Sequence, residues 1–298
     1  MRRFIQLSRF SYQNLRKQAI SLAAPRIQQD PQEMYKLGFT IKDVDVNNLT
    51  AKQFEDIKDA LWTHGVICIK NQKLTIDQQI AFTQKWGKLM ILPIQQAYTK
   101  RDPDQPAIVR VGNINLDGSI KQDCIDTEYW HKDGDFKKPG ENFFISILIP
   151  QEIAQVGGQT GFVCSEQVFR DLPENLKEML QDSEIIIRSQ TIGDFKHFKE
   201  NEHYPEALHP VFSSHPITGR KIFNICQNVE KDILFKDGTI KSSKEFISEI
   251  EKIYKIYSHQ WEMGDVVVWD NIRVIHKSMG GFGNNRRLLT RTQAQILY

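Results

Sequence analysis

The chain has 298 residues, 40% hydrophobic and 26% charged, the balance of an average globular protein long enough to bury a sizeable core. Its net charge of +2 is unevenly spread, because residues 1–29 carry six basic side chains (Arg2, Arg3, Arg9, Arg16, Lys17, Arg26) and no acid, leaving 33 basic against 37 acidic residues in the remainder. That remainder offers no basic surface for nucleic acid or an anionic membrane, no stretch reaches the roughly 18 apolar residues that span a bilayer, and Cys68, Cys124, Cys164 and Cys226 are too dispersed for a zinc knuckle or a disulfide framework. A soluble protein of a reducing compartment is expected.

Residues 1–29 have the arginine-rich, acid-free composition of a mitochondrial presequence, with Phe4, Ile5, Leu7, Phe10 and Leu15 able to share a helix face. A flexible basic tail on a cytoplasmic protein fits the same composition, so the location is read as mitochondrial or cytoplasmic. Residues 30–298 contain no repeat or low-complexity linker and read as one domain. Two helices are announced by capping boxes: Thr50 with Gln53 leads a face of Phe54, Ile57 and Leu61, and Thr75 with Gln78 leads one containing Phe82 and Trp86. Gly65 and Gly87 end them. Between the two, VICIK (66–70) reads as a strand.

From residue 107 the pattern turns β-rich: AIVRV (107–111), FFISILI (143–149), EIIIR (184–188), KIFNI (221–225) and DVVVW (265–269), divided by Gly, Pro, Asn and Asp. Many strands with few helices between them favour a sandwich or barrel. One late helix is expected, with Ser242 and Glu245 as its capping box and Phe246, Ile250, Ile253 and Tyr257 on one face.

The chemistry is concentrated in YWHKDGDF (129–136). In an extended segment residues i and i+2 share a face, so His131 and Asp133 would aim at one point while Lys132 faces away. A third ligand is needed, and His276 in WDNIRVIHKSMGG follows directly on the strand DVVVW. Two imidazoles and one carboxylate on one face of a metal leave the opposite positions open, as non-haem ferrous oxygenases require; they also suit zinc, which needs one open position for a hydrolytic water. The other histidines read as structural, His209 and His215 because each precedes a proline in turn-like sequence. Near the C-terminus Arg287 could seat the far carboxylate of an oxo-diacid through its guanidinium fork. A solvated basic strand edge explains Arg286, Arg287 and Arg291 equally well.

The segments HGVICIKNQKLTIDQQIAFTQKWGKL (64–89), WHKD (130–133), GGQTGF (157–162), HPVFSSHPITGRK (209–221), GDVVVWDN (264–271) with His276, and RRLLTR (286–291) together resemble the taurine dioxygenase (TauD/TfdA) family of iron- and 2-oxoglutarate-dependent oxygenases, in the family's order and over most of residues 40–298. The resemblance implies a mainly β protein with flanking helices and a double-stranded β-helix, or jelly-roll, core. It implies Fe(2+) held by His131, Asp133 and His276, 2-oxoglutarate as co-substrate held at its distal carboxylate by Thr160 and Arg287, O2 as oxidant, and Arg291 facing the primary substrate. Ascorbate is an expected assay supplement. The reaction implied is hydroxylation of a small, acidic organic molecule with release of succinate and carbon dioxide. The competing readings are a zinc-type hydrolase on the same residues and a jelly-roll binding protein without turnover. Small-molecule substrate is the partner expected, without nucleic acid or membrane; a homo-oligomer is left open.

Three departures refine the resemblance. Leu92 stands before Pro93 where taurine-cleaving members carry histidine, which disfavours taurine. The family's WDNR becomes Trp269-Asp270-Asn271-Ile272 with arginine displaced to Arg273, a structural change behind the histidine. Asp133 is intact where related halogenases carry a small residue, which favours hydroxylation.

Overall fold

The computed structural model describes residues 37–91, 104–121, 128–188, 206–227 and 231–296. The basic tail and the Leu92-Pro93 pair lie outside the described residues. The described chain runs β1 (Phe39–Ile41), α1 (Ala51–His64), β2 (Val66–Ile69), α2 (Ile76–Trp86), β3 (Lys88–Leu89), β4 (Val109–Gly112), β5 (Phe144–Glu152), β6 (Thr160–Cys164), α3 (Ser165–Asp171), α4 (Glu174–Leu180), β7 (Glu184–Arg188), β8 (Glu206–Pro210), β9 (Phe212–Ser214), β10 (Lys221–Phe223), β11 (Lys231–Leu234), β12 (Ile240–Ser242), α5 (Lys244–Glu251), β13 (Ile256–His259), β14 (Val266–Asp270), β15 (Val274–Ser278) and β16 (Leu288–Gln295). None of its helices is long and apolar enough to cross a membrane.

Both expected capping boxes form, with Thr50 and Thr75 accepting from the backbone amides of Gln53 and Gln78 and each glutamine side chain returning the bond. Gly65, at φ +70°, ends α1 by donating its amide to the Leu61 carbonyl at 2.7 Å. The late helix differs from expectation. Ser242 is the last residue of β12, paired with Asp232, so it stays in the ladder and cannot cap; α5 begins two residues on with no side-chain cap and stops at Glu251. Phe246 and Ile250 are buried by it, while Tyr257 belongs to β13. His209 lies in β8, its imidazole Nε2 against the Lys137 carbonyl, rather than in a turn. The short helices α3 and α4 were not foreseen, since each is only 7 residues and lacks a side-chain cap signal.

Two sheets face each other in the jelly-roll arrangement. The larger has the order β1-β2-β14-β5-β16-β3 with β4 also against β16, antiparallel throughout except for β1 beside β2. The smaller is β13-β6-β15, flanked by β12-β11-β7-β8 and the hairpin β9-β10. Strand alternation divides the large sheet cleanly. On its outer face Ile145, Ile147, Ile149, Val266 and Val268 pack against Ile57 and Leu61 of α1 and Phe82 and Trp86 of α2. On its inner face Leu148, Val267, Trp269 and Leu289 meet Phe162, Cys164 and Val274 of the smaller sheet.

Alternation in β16 decides where the site lies. Thr290 and Thr292 turn outward onto α2: Thr290 donates to Gln79 Oε1 at 2.8 Å, and the hydroxyls of Thr292 and Thr83 meet at 2.6 Å. Leu289, Arg291 and Gln293 therefore point inward. Behind β14, the displaced Arg273 is wholly buried; it donates to the Trp62 and Thr63 carbonyls at the end of α1 and pairs with Glu166 at 3.2 Å, which also holds Arg220 at 2.9 Å. Glu166→Gln takes from two guanidinium groups the carboxylate they share, and a loss of about 3–5 kcal/mol is expected for breaking such a buried pair. Urea denaturation checks it; a loss under about 1 kcal/mol, the scale of a surface pair, would reduce the network to an ornament of the surface.

Candidate metal centre

His131 and His276 are joined through their backbones before their side chains meet. A single antiparallel bridge pairs them, His131 N donating to His276 O at 3.0 Å and His276 N to His131 O at 2.8 Å. The chain then turns over 133–136, with Gly134 at φ +65° against the Phe144 ring. The common aim of His131 and Asp133 therefore comes from a one-residue bridge followed by a turn, where strand alternation was expected. Lys132 does face away, its ammonium donating to the carbonyls of Ile272 at 2.6 Å and Phe223 at 3.1 Å and to Asn224 Oδ1 at 3.2 Å.

The three expected ligands converge. Their donor atoms all lie within 4.8 Å of one another, with each imidazole Nε2 at 3.7 Å from an oxygen of Asp133. The imidazoles themselves are 4.1 Å apart between ring centres, and Trp269 and Phe162 wall in His276. His131 Nδ1 lies 3.0 Å from the Tyr129 carbonyl, so that nitrogen carries the proton and Nε2 presents its lone pair toward Asp133.

Protonation fits a divalent cation. Burial lowers the pKa of His131, and burial followed by the neighbouring His131 drives His276 well below the ordinary imidazole value, so both rings are neutral. Burial pushes Asp133 up, but the charge of Arg291 leads the groups that outweigh it, and the carboxyl is held at about 2. Two neutral nitrogens and one carboxylate are the states a metal needs of its ligands. His276 Nδ1 has no hydrogen-bond partner among the described residues, which leaves that ring to be oriented by the backbone bridge and its aromatic walls.

Asp133 is held at its backbone and at one carboxylate oxygen. Asn271 clamps its backbone from both sides, the amide side chain accepting from Asp133 N at 3.1 Å and donating to Asp133 O at 2.7 Å. Carboxylate Oδ2 accepts from Arg291 Nη1 at 2.7 Å and Gln293 Nε2 at 2.9 Å, and Gln293 is itself tied to Ser146. Arg291, read from the sequence as facing the substrate, thus gives one nitrogen to a candidate ligand. Asn271 and Gln293 were not singled out from the sequence. The signals existed: Asn271 stands inside the quoted GDVVVWDN, and Gln293 is two residues from Arg291 on one strand face.

Thr160, which shares a strand face with Phe162 of the inner core, and Arg287, which reaches Gly158 two residues before it, come together at the start of β6. Thr160 opens β6, paired with Ser278 of β15 and His259 of β13, and its hydroxyl accepts from Trp261 Nε1 at 3.1 Å. Arg287 is 2% exposed, which removes the solvated-edge reading. Its Nε donates to the Gly158 carbonyl at 2.9 Å, its backbone amide donates to Asn113 Oδ1, and it lies over the Phe282 ring. A Cβ at Gly158, where φ is +75°, would come within 3.0 Å of the arginine side chain, so the second glycine of GGQT is required for this close approach. Arg286 takes the exposed role, bridging Glu152.

A second group of donor atoms, Cys68, His259 and Asp265, also lies within 4.8 Å. It behaves as a polar network. Both imidazole nitrogens of His259 are engaged, by Tyr257 and Asp265, while Lys70 neutralises Asp265 at 2.8 Å and burial, then Asp265, push the Cys68 thiol up to about 12.

Two histidines and one aspartate gathered at the inner face of a jelly roll define a mononuclear metal oxygenase of the 2-His-1-carboxylate kind. The particular family follows from comparison: the chain belongs to the taurine catabolism dioxygenase TauD, TfdA family, whose sequence model matches residues 29–293. Among curated relatives, the alpha-ketoglutarate-dependent 2,4-dichlorophenoxyacetate dioxygenase of Burkholderia sp. (strain RASC) is 25% identical over 246 residues, covering 77% of this chain and 81% of the relative. Pentalenolactone F synthase of Streptomyces avermitilis is 26% identical over 263 residues, 80% of this chain and 83% of the relative. The crystal structure of AAD-2 in complex with Mn(II) and N-oxalylglycine superposes with a TM-score of 0.72 at 17% identity, over 93% of this chain and 99% of that one, and supports the fold.

Removing the Asn271 clamp frees the backbone that aims Asp133. Asn271→Ala is expected to weaken Mn(II) affinity by about 10–100-fold, the usual cost of losing an outer support of a metal ligand. Titration of metal-stripped protein followed by electron paramagnetic resonance checks it; affinity within a factor of two of wild type would deny the clamp its role.

Proposed function

We propose that this chain is an iron(II)- and 2-oxoglutarate-dependent dioxygenase that hydroxylates a small organic anion. The observation that carries the reading is the neutral-His, ionised-Asp donor set, in a chain that also buries Arg287 against the Gly158 carbonyl two residues before Thr160. His131, Asp133 and His276 would hold the metal. When bound, iron with 2-oxoglutarate and dioxygen supplies the oxidising power to hydroxylate a C–H bond, with succinate and carbon dioxide as co-products.

The chain's own residues supply holding, orientation and dryness. Asn271 and the bridge to His276 fix Asp133 and His131 in place before any ligand arrives. Arg287, buried between Gly158 and Phe282, is set to pair a distal carboxylate, with the Thr160 hydroxyl as second donor. Trp269 and Phe162 keep water from the imidazoles. Arg291 spends one nitrogen on Asp133, and its Nε has no hydrogen-bond partner among the described residues, so donors remain for an acidic group on the substrate. Curated relatives named for 2,4-dichlorophenoxyacetate and for sulfate esters support an anionic substrate class.

Succinate release is the direct test. Small sulfonates, sulfate esters, aryloxy acids, amino acids and betaines are screened with ferrous iron, ascorbate and 2-oxoglutarate; at least one anion is expected to stimulate succinate formation, and none to do so without oxygen. Turnover that continues anaerobically would replace this reading with a zinc-type hydrolase. Arg287→Ala leaves a carboxylate without its partner, a loss of about 3–5 kcal/mol, or roughly 10²- to 4 × 10³-fold in the 2-oxoglutarate requirement. Metal binding is expected to be spared, and an unchanged 2-oxoglutarate KM would remove Arg287 from the site. His131→Ala is expected to abolish metal-dependent turnover.

A further inference from the structure

A hydroxyl group has one hydrogen to give and two lone pairs to receive with, and which way it acts is set by its neighbours. Thr160 is 4% exposed, and the group found at its oxygen is the indole of Trp261, at 3.1 Å. Indole nitrogen can only donate. Thr160 Oγ1 is therefore the acceptor in this bond, and its hydrogen is left to point elsewhere. Resting on the 2-oxoglutarate reading above, we infer that Trp261 is a positioning residue for the co-substrate: by occupying a lone pair of Thr160 it commits the hydroxyl hydrogen to the distal carboxylate.

The placement of Trp261 is itself over-determined. It follows β13 by two residues, in the segment that pairs His259 with Thr160 across the sheet. Its ring is 5% exposed and packs with Leu148, Phe162 and Leu289. Edge-on to it, 4.7 Å between centres, stands His259, which is fixed by the Tyr257 hydroxyl on one nitrogen and Asp265 on the other. Asp265 is anchored in turn by Lys70 and by the Glu262 amide. The polar network around Cys68 thus acquires a purpose: it holds the indole at the angle that presents its N–H to Thr160. Arg287 reaches the same stretch of chain through the Gly158 carbonyl, two residues before Thr160, so both donors to the carboxylate are set from one loop.

Trp261→Phe keeps an aromatic ring and deletes the N–H. With the Mn(II)-loaded full chain and N-oxalylglycine as probe, calorimetric titration is expected to show Kd raised about 3- to 12-fold, the span of one net hydrogen bond. Mn(II) affinity and kcat at saturating 2-oxoglutarate stay as in wild type, while the 2-oxoglutarate KM rises with Kd. In a Thr160→Val background the same change is expected to cost nothing further. Wild-type Kd in Trp261→Phe, an equal cost in both backgrounds, or a matching fall in Mn(II) affinity would each overturn the inference while leaving the dioxygenase reading intact. If the wild-type protein itself fails to bind N-oxalylglycine with metal present, the dioxygenase reading falls and takes the inference with it. Should Trp261→Phe not fold, the intact protein loaded with zinc serves instead: N-oxalylglycine is expected to move the one indole N–H resonance that Thr160→Val also moves, and an unmoved resonance overturns the proposal.

Discussion

The structure depends on one short backbone interaction, the reciprocal pair of hydrogen bonds between His131 and His276. The two residues are far apart in the chain, and neither would find the other by local propensity. Their bridge places two imidazoles 4.1 Å apart at a depth where burial keeps both neutral. A side-chain contact could drift by a rotamer; a main-chain bridge cannot without unzipping the end of the smaller sheet. The spacing of the metal-binding pair is in this sense a feature of the backbone, while Tyr129, Trp269 and Phe162 set the ring orientations and the carboxylate of Asp133 is steered by side chains.

That steering is done asymmetrically. Asp133 Oδ2 receives Arg291 and Gln293, two inward residues of β16, while the backbone of Asp133 is clasped by Asn271 at the end of β14. Positive charge from Arg291 offsets the cost of burying the carboxylate, which would otherwise favour its neutral, non-ligating form. The same residue class does different work a few ångströms away. Arg287 is committed to Gly158 and Phe282 on the opposite side, and Arg273 is spent wholly on α1 and Glu166. Three arginines in one C-terminal stretch, Arg273 and Arg287 buried and Arg291 half-buried, have three separate structural addresses, which no reading of their spacing could have assigned.

Much of the fold was legible because its signals are local. The boxes Thr50/Gln53 and Thr75/Gln78 name their own geometry, and the β-branched runs around residues 186 and 267 survive as strands within one residue, the run around 145 extending three residues further to Glu152. The third box, at Ser242, failed because a strand pairing with Asp232 claimed that residue first, a non-local competitor invisible in the sequence. The site was legible in part: the HxD pair and the distant histidine carried their chemistry in residue type, and family resemblance supplied Thr160 and Arg287. Asn271, Gln293 and Trp261 were missed since each acts by touching another side chain, and contacts across 100 residues or more are written only in the folded topology.

The threonines of β16, Thr290 and Thr292, point outward and are welded to α2, while Arg291 and Gln293, alternating with them, turn inward to Asp133. One ribbon thus both steadies the carboxylate of Asp133 and seats a surface helix. Neither face of such a strand can be altered without loading the other, so the inward pair that holds Asp133 is tied to the fit of α2 on the outside of the sheet.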